Sequence, residues 1–109
     1  MSIALPDVVQ TYFEISNGQG MARLAECFCA DATVSDENQT HEGVAAIIEW
    51  QHAARQAYTY VAVPLSSRQE GDALVVKARL TGNFPGSPVE LNHRFALADG
   101  RIKALEITV

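Results

Sequence analysis

The sequence is poor in cysteine and in basic residues and has no long apolar run, and each shortage excludes a class of protein. Cys27 and Cys29 are the only cysteines, and this close pair is unsuited to a disulfide bond and too small for a metal cage. Eight basic residues against thirteen acidic ones give a net charge of -5, which repels a phosphate backbone, so no nucleic acid partner is expected. No segment approaches the ~20 apolar residues of a membrane span, and the first residues lack the pattern of a signal peptide. A cytoplasmic protein without a membrane segment is the resulting expectation.

The chain does have enough apolar material for one core. It has 109 residues, of which 48% are hydrophobic and 19% are charged. This length is typical of one ordinary domain, and the charge is too low for a disordered chain. We therefore expect residues 1–109 to form a single domain.

The first half of the sequence has helical periodicity. A first helix is predicted to begin at Pro6-Asp7, which suit a first turn, and to end at Asn17-Gly18. A second, short helix is predicted from the spacing of Met21, Leu24, Ala25 and Phe28. A third begins at Gly43 and ends near Tyr58.

Strand patterns occupy the rest of the sequence. Residues 32–36 form a short predicted strand that leads into a polar loop at residues 37–40. After Tyr58 the alternation predicts three or four antiparallel strands, separated by turn signals at Gly71-Asp72, at residues 85–88 and at Asp99-Gly100. Within the strand after residue 88, the residues expected to face inward are Leu91, His93, Phe95 and Leu97.

Helices early in the chain and strands late in the chain favour an α+β fold. We predict three N-terminal helices packed on a strongly curved antiparallel or mixed sheet. Such a sheet, curled around the helices, forms a cone with an internal pocket.

Four short motifs are distinctive. They are Val8-Val9-Gln10-Thr11-Tyr12, Phe28 with Asp31-Ala32-Thr33-Val34-Ser35-Asp36, Gly43-Val44-Ala45-Ala46-Ile47 and Asp99-Gly100-Arg101-Ile102. Together they resemble the nuclear-transport-factor-2-like (cystatin-like) superfamily, and more narrowly its branch of SnoaL-like polyketide cyclases and ketosteroid isomerases. The resemblance covers nearly the whole chain. Because this fold carries many activities, the resemblance predicts the fold more firmly than the reaction.

The resemblance to the isomerases implies a set of catalytic residues. In that family an aspartate moves a proton while a tyrosine and a protonated acid bind the enolate oxygen. By resemblance, the base falls on Asp36 and the tyrosine donor on Tyr12. The residues themselves agree, since Asp36 shares a strand face with Val34 and Tyr12 lies on the apolar face of its helix.

The third catalytic position departs from the family. An ungapped alignment places it on Asn92, whereas the alternation that buries Phe95 points His93 inward. Either side chain could donate a hydrogen bond, and we prefer His93. Glu37 stands where the isomerases tend to carry a proline after the base.

The large side chains are either pocket walls or simply core. Those expected to line the pocket are Met21, Phe28, Val34, Trp50, Tyr58, Tyr60, Phe84 and Phe95. The competing interpretation is that they fill the space. Likewise Asp36 could merely end its strand, and Tyr12 and His93 could be ordinary core residues with satisfied polar atoms.

Two main functions follow, with a third less favoured. The first is proton transfer next to the carbonyl of an apolar small molecule, with Asp36 as base and Tyr12 plus His93 or Asn92 as donors to the oxyanion. The second is a ligand-binding or interaction module without catalysis, and the third is hydration or hydrolysis. None requires a cofactor, and no metal site is predicted, because the histidines have no metal-ligand spacing. A homodimer through the outer sheet face is expected, where the charged residues are Lys77, Arg79, Glu90 and Arg94.

Overall fold

A computed structural model describes residues 5–109, apart from the side chain of Met21. The helical elements are α1 (Asp7–Ser16), a 3₁₀ turn (Met21–Arg23), α2 (Leu24–Cys27) and α3 (Val44–Ala57). The strands are β1 (Phe28–Asp36), β2 (Gln39–Glu42), β3 (Tyr60–Glu70), β4 (Ala73–Gly82), β5 (Val89–Ala98) and β6 (Arg101–Thr108). None of these described helices is long and apolar enough to cross a membrane.

The strands form one mixed sheet that carries the helices on its inner face. The strand order is β2-β1-β6-β5-β4-β3, with β1 and β6 parallel and the other neighbours antiparallel. Side chains from α1, α2 and α3 join those of the sheet in one buried core. The prediction of an α+β fold with three helices on a mixed sheet is confirmed.

The predicted cone and its internal pocket are not confirmed. The sheet is open rather than strongly curled, with β2 and β3 at its two edges. Phe28, Phe95 and Val34 are almost completely buried where the pocket was expected. The large apolar side chains satisfy the hydrophobic effect by packing on one another, as close-packed interiors do.

The first helix begins and ends where the sequence predicts. Pro6 precedes its first residue, and Asp7 lies in its first turn. At its other end, the Asn17 side chain donates to the Ala62 carbonyl oxygen at 3.0 Å and accepts from the Ala62 N–H at 2.7 Å. This pair of hydrogen bonds ties the end of α1 to β3 and so orients the inner face of the helix toward the sheet.

The predicted loop at residues 37–40 is wrong. Glu37 and Asn38 both have positive φ, 52° and 64°, and make a two-residue turn of the kind that joins right-twisted hairpin strands. β2 then pairs with β1, with His41 opposite Val34. The polar composition of this segment suggested a loop, yet a short edge strand needs few apolar residues.

The alternation predicted for the strand at residues 89–98 holds for most of its length. His93 and Phe95 are buried. Leu97, which was expected to face inward, is 37% exposed. A register shift lies between Ala96 and Leu97, and a bulge of this kind moves the following side chains relative to the sheet face.

Candidate functional site

Tyr12 lies at the centre of an aromatic cluster beneath α1. Its side chain is 2% exposed, and it faces the sheet because the residue is on the apolar stripe of its helix. Its ring centroid lies 5.3 Å from Phe13, 5.5 Å from Phe95, 6.2 Å from Phe28 and 6.2 Å from His93. Two of these neighbours, Phe28 and Phe95, were predicted to line a pocket, and both pack edge to face against Tyr12.

His93 lies on the inner face of the sheet, the face against which Tyr12 packs. The imidazole stacks on Phe95 with centroids 6.3 Å apart and lies 5.2 Å from the ring of Phe13. Burial lowers the pKa of His93 from 6.5 to about 4, while the backbone carbonyls of Leu91 and Val76 act in the opposite direction. The imidazole is therefore neutral at pH 7. Its buried Nδ1 has no hydrogen-bond partner within the described residues.

Asn92 points to the other face of the sheet. Successive strand residues alternate between faces, so Asn92 is opposite in orientation to its buried neighbour His93. Lys77 and Thr108 flank it on the adjoining strands. The structure therefore brings His93, rather than Asn92, next to Tyr12.

Asp36 occupies the last position of β1, two residues after the buried Val34. The side chain is half-buried. Its Oδ2 accepts a hydrogen bond of 3.2 Å from Nε1 of Trp50, which extends from α3. The carboxylate therefore lies at the end of β1, and one of its two oxygens already accepts a hydrogen bond.

A second polar contact lies one residue along α3. Gln51 is 1% exposed, and its Nε2 donates to the hydroxyl of Tyr60 at 3.5 Å. The guanidinium of Arg55 lies 4.6 Å over the Tyr60 ring and donates to the backbone oxygens of Tyr60 and Ser16 at 2.8 and 3.1 Å. The start of β3 and the end of α1 are therefore both fixed to this helix.

The surroundings of Tyr12 keep its hydroxyl neutral. Burial raises the pKa of the Tyr12 phenol well above its ordinary value of 10.0, and the charges of Tyr60 and Asp36 raise it further. The Ser16 side chain, one turn along α1, acts in the opposite direction. The Tyr12 hydroxyl is consequently protonated at any physiological pH and remains able to donate a hydrogen bond.

The remaining residues that were predicted to line a pocket lie away from Tyr12, or their side chains are not described by the structure. Tyr58 is 42% exposed and packs on Phe84, with centroids 6.2 Å apart. Among the described residues, neither ring belongs to the aromatic cluster around Tyr12. The Met21 side chain lies outside the described residues. Tyr60 and Trp50 contribute through their polar atoms as described above.

Two depressions of the described surface lie away from the aromatic cluster. One, of about 410 Å³, lies on the outer sheet face and is lined by Arg79, Thr81, Pro88, Val89 and Glu90. The other, of about 240 Å³, is lined by Asp7, Val8, Thr11, Arg23, Glu26, Cys27 and Gly100.

Sequence reasoning did not place Gln51 or His41 in the site, and it predicted Trp50 only as a pocket wall. Gln51 and Trp50 follow one another on α3, and Gln51 belongs to the helical stripe that faces the core. A polar amide on an apolar stripe was the available signal, since buried polar side chains need partners. His41 lies in β2, with its ring tilted by 33° against that of Trp50.

A sequence profile of the SnoaL-like domain matches residues 9–105. No curated protein matches the sequence. A protein of Sinorhizobium meliloti, whose name assigns it provisionally to the polyketide cyclases, is 47% identical over 95% of each chain, with a TM-score of 0.91.

Two more distant structures share the fold. SalBIII, an epoxide hydrolase/cyclase-like enzyme with a role in pyran ring formation in the polyether salinomycin, is 22% identical over 94% of this chain and 87% of its own, with a TM-score of 0.76. A hypothetical protein from Catenulispora acidiphila with a ketosteroid isomerase-like fold, solved with trimethylamine, is 19% identical over 97% and 87%, with a TM-score of 0.80. At these identities the two show the fold alone.

Proposed function

Because the chain belongs to the SnoaL-like domain family, as its sequence motifs indicated, we propose that it transfers a proton next to the carbonyl of an apolar small molecule. The carboxylate of Asp36 is the base and the hydroxyl of Tyr12 the oxyanion donor. The names of the Sinorhizobium protein and of SalBIII point to polyketide and polyether compounds, so a polyketide-type ketone is the proposed substrate class.

The observation that carries this proposal is structural: Asp36 ends β1 two residues after the buried Val34, with one carboxylate oxygen held by Trp50, and Tyr12 is buried in the core that the sheet shares with α1. In the proposed step the α C–H bond breaks, its proton moves to Asp36, and its electron pair forms the enolate, whose oxygen accepts the Tyr12 hydrogen bond. Returning the proton to the same or a conjugated carbon restores the carboxylate. A preorganised donor in a dry site is effective because it need not be reoriented from water.

His93 is the second donor in the proposal. It lies on the same side of the sheet as Tyr12, with its ring 6.2 Å away, whereas Asn92 lies on the other side. Because burial keeps the imidazole neutral, one ring nitrogen carries a hydrogen that can be donated. Substrate binding is proposed to open space between these rings.

The test is exchange of α-hydrogens in deuterated water, measured by NMR with a panel of apolar ketones. Wild-type protein is expected to exchange at least one of them faster than buffer does. Tyr12→Phe is expected to lower kcat by about 10²-fold, the effect of removing one oxyanion donor. The variant keeps the ring, so the edge-to-face packing of the cluster is preserved.

Tyr58→Phe is the matched control, because its hydroxyl lies on an exposed ring packed against Phe84. It is expected to exchange ketones at the wild-type rate. Equal rates for wild type and Tyr12→Phe would remove Tyr12 from the mechanism. Ketones bound but not exchanged by wild-type protein would overturn the catalytic proposal itself.

A non-catalytic binding module is the second candidate function. The observation that favours it is that Oδ2 of Asp36 already accepts a hydrogen bond from Trp50, an arrangement that a purely structural carboxylate would also have. Such a module would bind an apolar ligand equally well in wild type and in an Asp36→Asn variant. Its distinguishing result is ligand binding, measured by calorimetry, without exchange of the α-hydrogens.

The proposal includes a homodimer through the outer sheet face. Val61 and Val63, on the edge strand β3, are 53% and 50% exposed. Val63 lies opposite Arg79, which pairs with Glu90 at 3.2 Å. A twofold contact would cover these apolar side chains and place charged residues in complementary positions.

Val63→Lys is expected to convert the dimer to a monomer, because the contact would bury the added charge without a partner. Light scattering after size exclusion measures the mass, which is expected to fall toward the 11.8 kDa of one chain. Gln10→Lys, on the exposed side of α1, is the control and is expected to remain dimeric. A monomeric wild type would exclude the dimer.

A further inference from the structure

The only tryptophan of the chain is bound to the candidate base. Trp50 is half-buried on α3, and its Nε1 donates to Oδ2 of Asp36 at 3.2 Å. Within the described part of the chain no other donor is bonded to this carboxylate. Its Oδ1 is therefore the oxygen left for another partner.

The indole ring is supported from the other side by His41. The imidazole and indole centroids are 5.9 Å apart, with 33° between the ring planes. β2 places His41 directly opposite Val34, and facing residues of paired strands point to the same side of a sheet. The β1–β2 hairpin and α3 therefore contact each other through the rings of His41 and Trp50.

We propose that Trp50 is the positioning residue for Asp36. Its N–H holds Oδ2 so that Oδ1 is directed at the ligand, and His41 fixes the plane of the indole. This inference rests on the proposed proton transfer for its catalytic consequence, but the hydrogen bond itself exists without any ligand. A carboxylate that swings freely loses rate because reacting atoms must be aligned within a fraction of an ångström.

A purely structural role predicts something different. If Trp50 only packed against His41, replacing it with phenylalanine would preserve most of the contact and the rate. If it positions Asp36, the loss of N–H alone changes the rate. The effect of Trp50→Phe on the rate then also depends on the Asp36 carboxylate. The effects of substituting Trp50 and Asp36 are therefore coupled rather than additive.

The first test is spectroscopic and needs no substrate. Labelling with ¹⁵N-tryptophan gives one indole resonance, that of Trp50. It is expected to exchange slowly with water, and Asp36→Ala is expected to shift the resonance and speed the exchange. A resonance unchanged by Asp36→Ala would overturn the proposed hydrogen bond.

The second test is kinetic and uses the ketone exchange assay. Trp50→Phe is expected to lower kcat about tenfold with little change in KM, as expected when a reacting group is misaligned rather than removed. In an Asp36→Asn background the same substitution is expected to have no further effect. Tyr58→Phe again controls for the loss of a polar atom outside the site.

The outcomes separate this inference from the proposed function. Normal exchange activity in Trp50→Phe, with the wild-type protein active, overturns positioning and leaves proton transfer standing. If the Trp50 indole resonance responds to Asp36→Ala but the protein exchanges no ketone, the hydrogen bond is supported and the catalytic proposal is contradicted. Additive effects of the two substitutions would assign Trp50 to packing alone.

Discussion

Replacing Asp36 with asparagine is expected to lower the rate of α-hydrogen exchange by about 10³-fold, within the range that general bases contribute. The amide has nearly the same shape as the carboxylate and can still accept the Trp50 hydrogen bond through its oxygen. It cannot take up a proton from carbon. The measurement is the kcat of the ketone exchange reaction, together with the denaturation midpoint of each protein.

Asp31→Asn provides the matched control, because Asp31 lies in the same strand but is exposed. It removes the same charge from β1 without touching the site and is expected to keep wild-type activity. Activity retained in Asp36→Asn would mean that another group takes the proton. A loss of rate accompanied by a lower denaturation midpoint would instead indicate damage to the fold, so unchanged stability is part of the expectation.

The second large effect is a loss of stability in acid that originates at His93. Its pKa is about 4 in the folded protein against an ordinary value of 6.5. Between these values the unfolded chain binds a proton that the folded chain does not, so stability falls as pH falls. The contribution is complete above pH 6.5 and is lost as pH falls to about 4, for a total of about 3 kcal/mol at 1.36 kcal/mol per pKa unit.

Urea denaturation at a series of pH values between neutrality and pH 4 measures this dependence. His93→Gln and His93→Leu are expected to flatten the curve across that window, because neither side chain titrates there. His52→Gln, an exposed position on α3, is expected to leave it unchanged. A wild-type slope that persists in both His93 variants would assign the acid sensitivity to other groups.

The neutral state of His93 also bears on the reaction. The rings of Tyr12, Phe13 and Phe95 surround it, and an imidazolium there would lack the water that stabilises charge. A neutral donor can stabilise an enolate without first being deprotonated. In the proposed mechanism both oxyanion donors are therefore in their active protonation state at neutral pH, and Asp36 alone changes charge.

The fold was predictable because local patterns carried most of its information. Apolar periodicity defined α1 and α3, and the turn signals marked the ends of β3 to β6. The hairpin at Glu37-Asn38 was missed because a two-residue turn with positive φ needs no glycine when asparagine supplies part of it. Leu97 was misplaced because a bulge cannot be located from alternation alone.

The candidate site was predictable only in part. Asp36 and Tyr12 came from motif resemblance, and the inward orientation of His93 came from the burial of Phe95. The partners of these residues did not follow from the sequence. Nothing in the local pattern pairs Trp50 with Asp36 or Gln51 with Tyr60, since such pairs depend on how α3 lies across the sheet.

By itself, then, the sequence determined the order of helices and strands, the faces they bury and the family to which the chain belongs. These properties depend on the 3.6- and 2-residue periods of the chain and on short motifs, which are local. Only the tertiary structure decided that the sheet stays open, that aromatic rings fill its centre, and that an indole from α3 holds the carboxylate at the end of β1. Packing between distant segments sets those features, because each side chain settles where volume and hydrogen bonding are satisfied together.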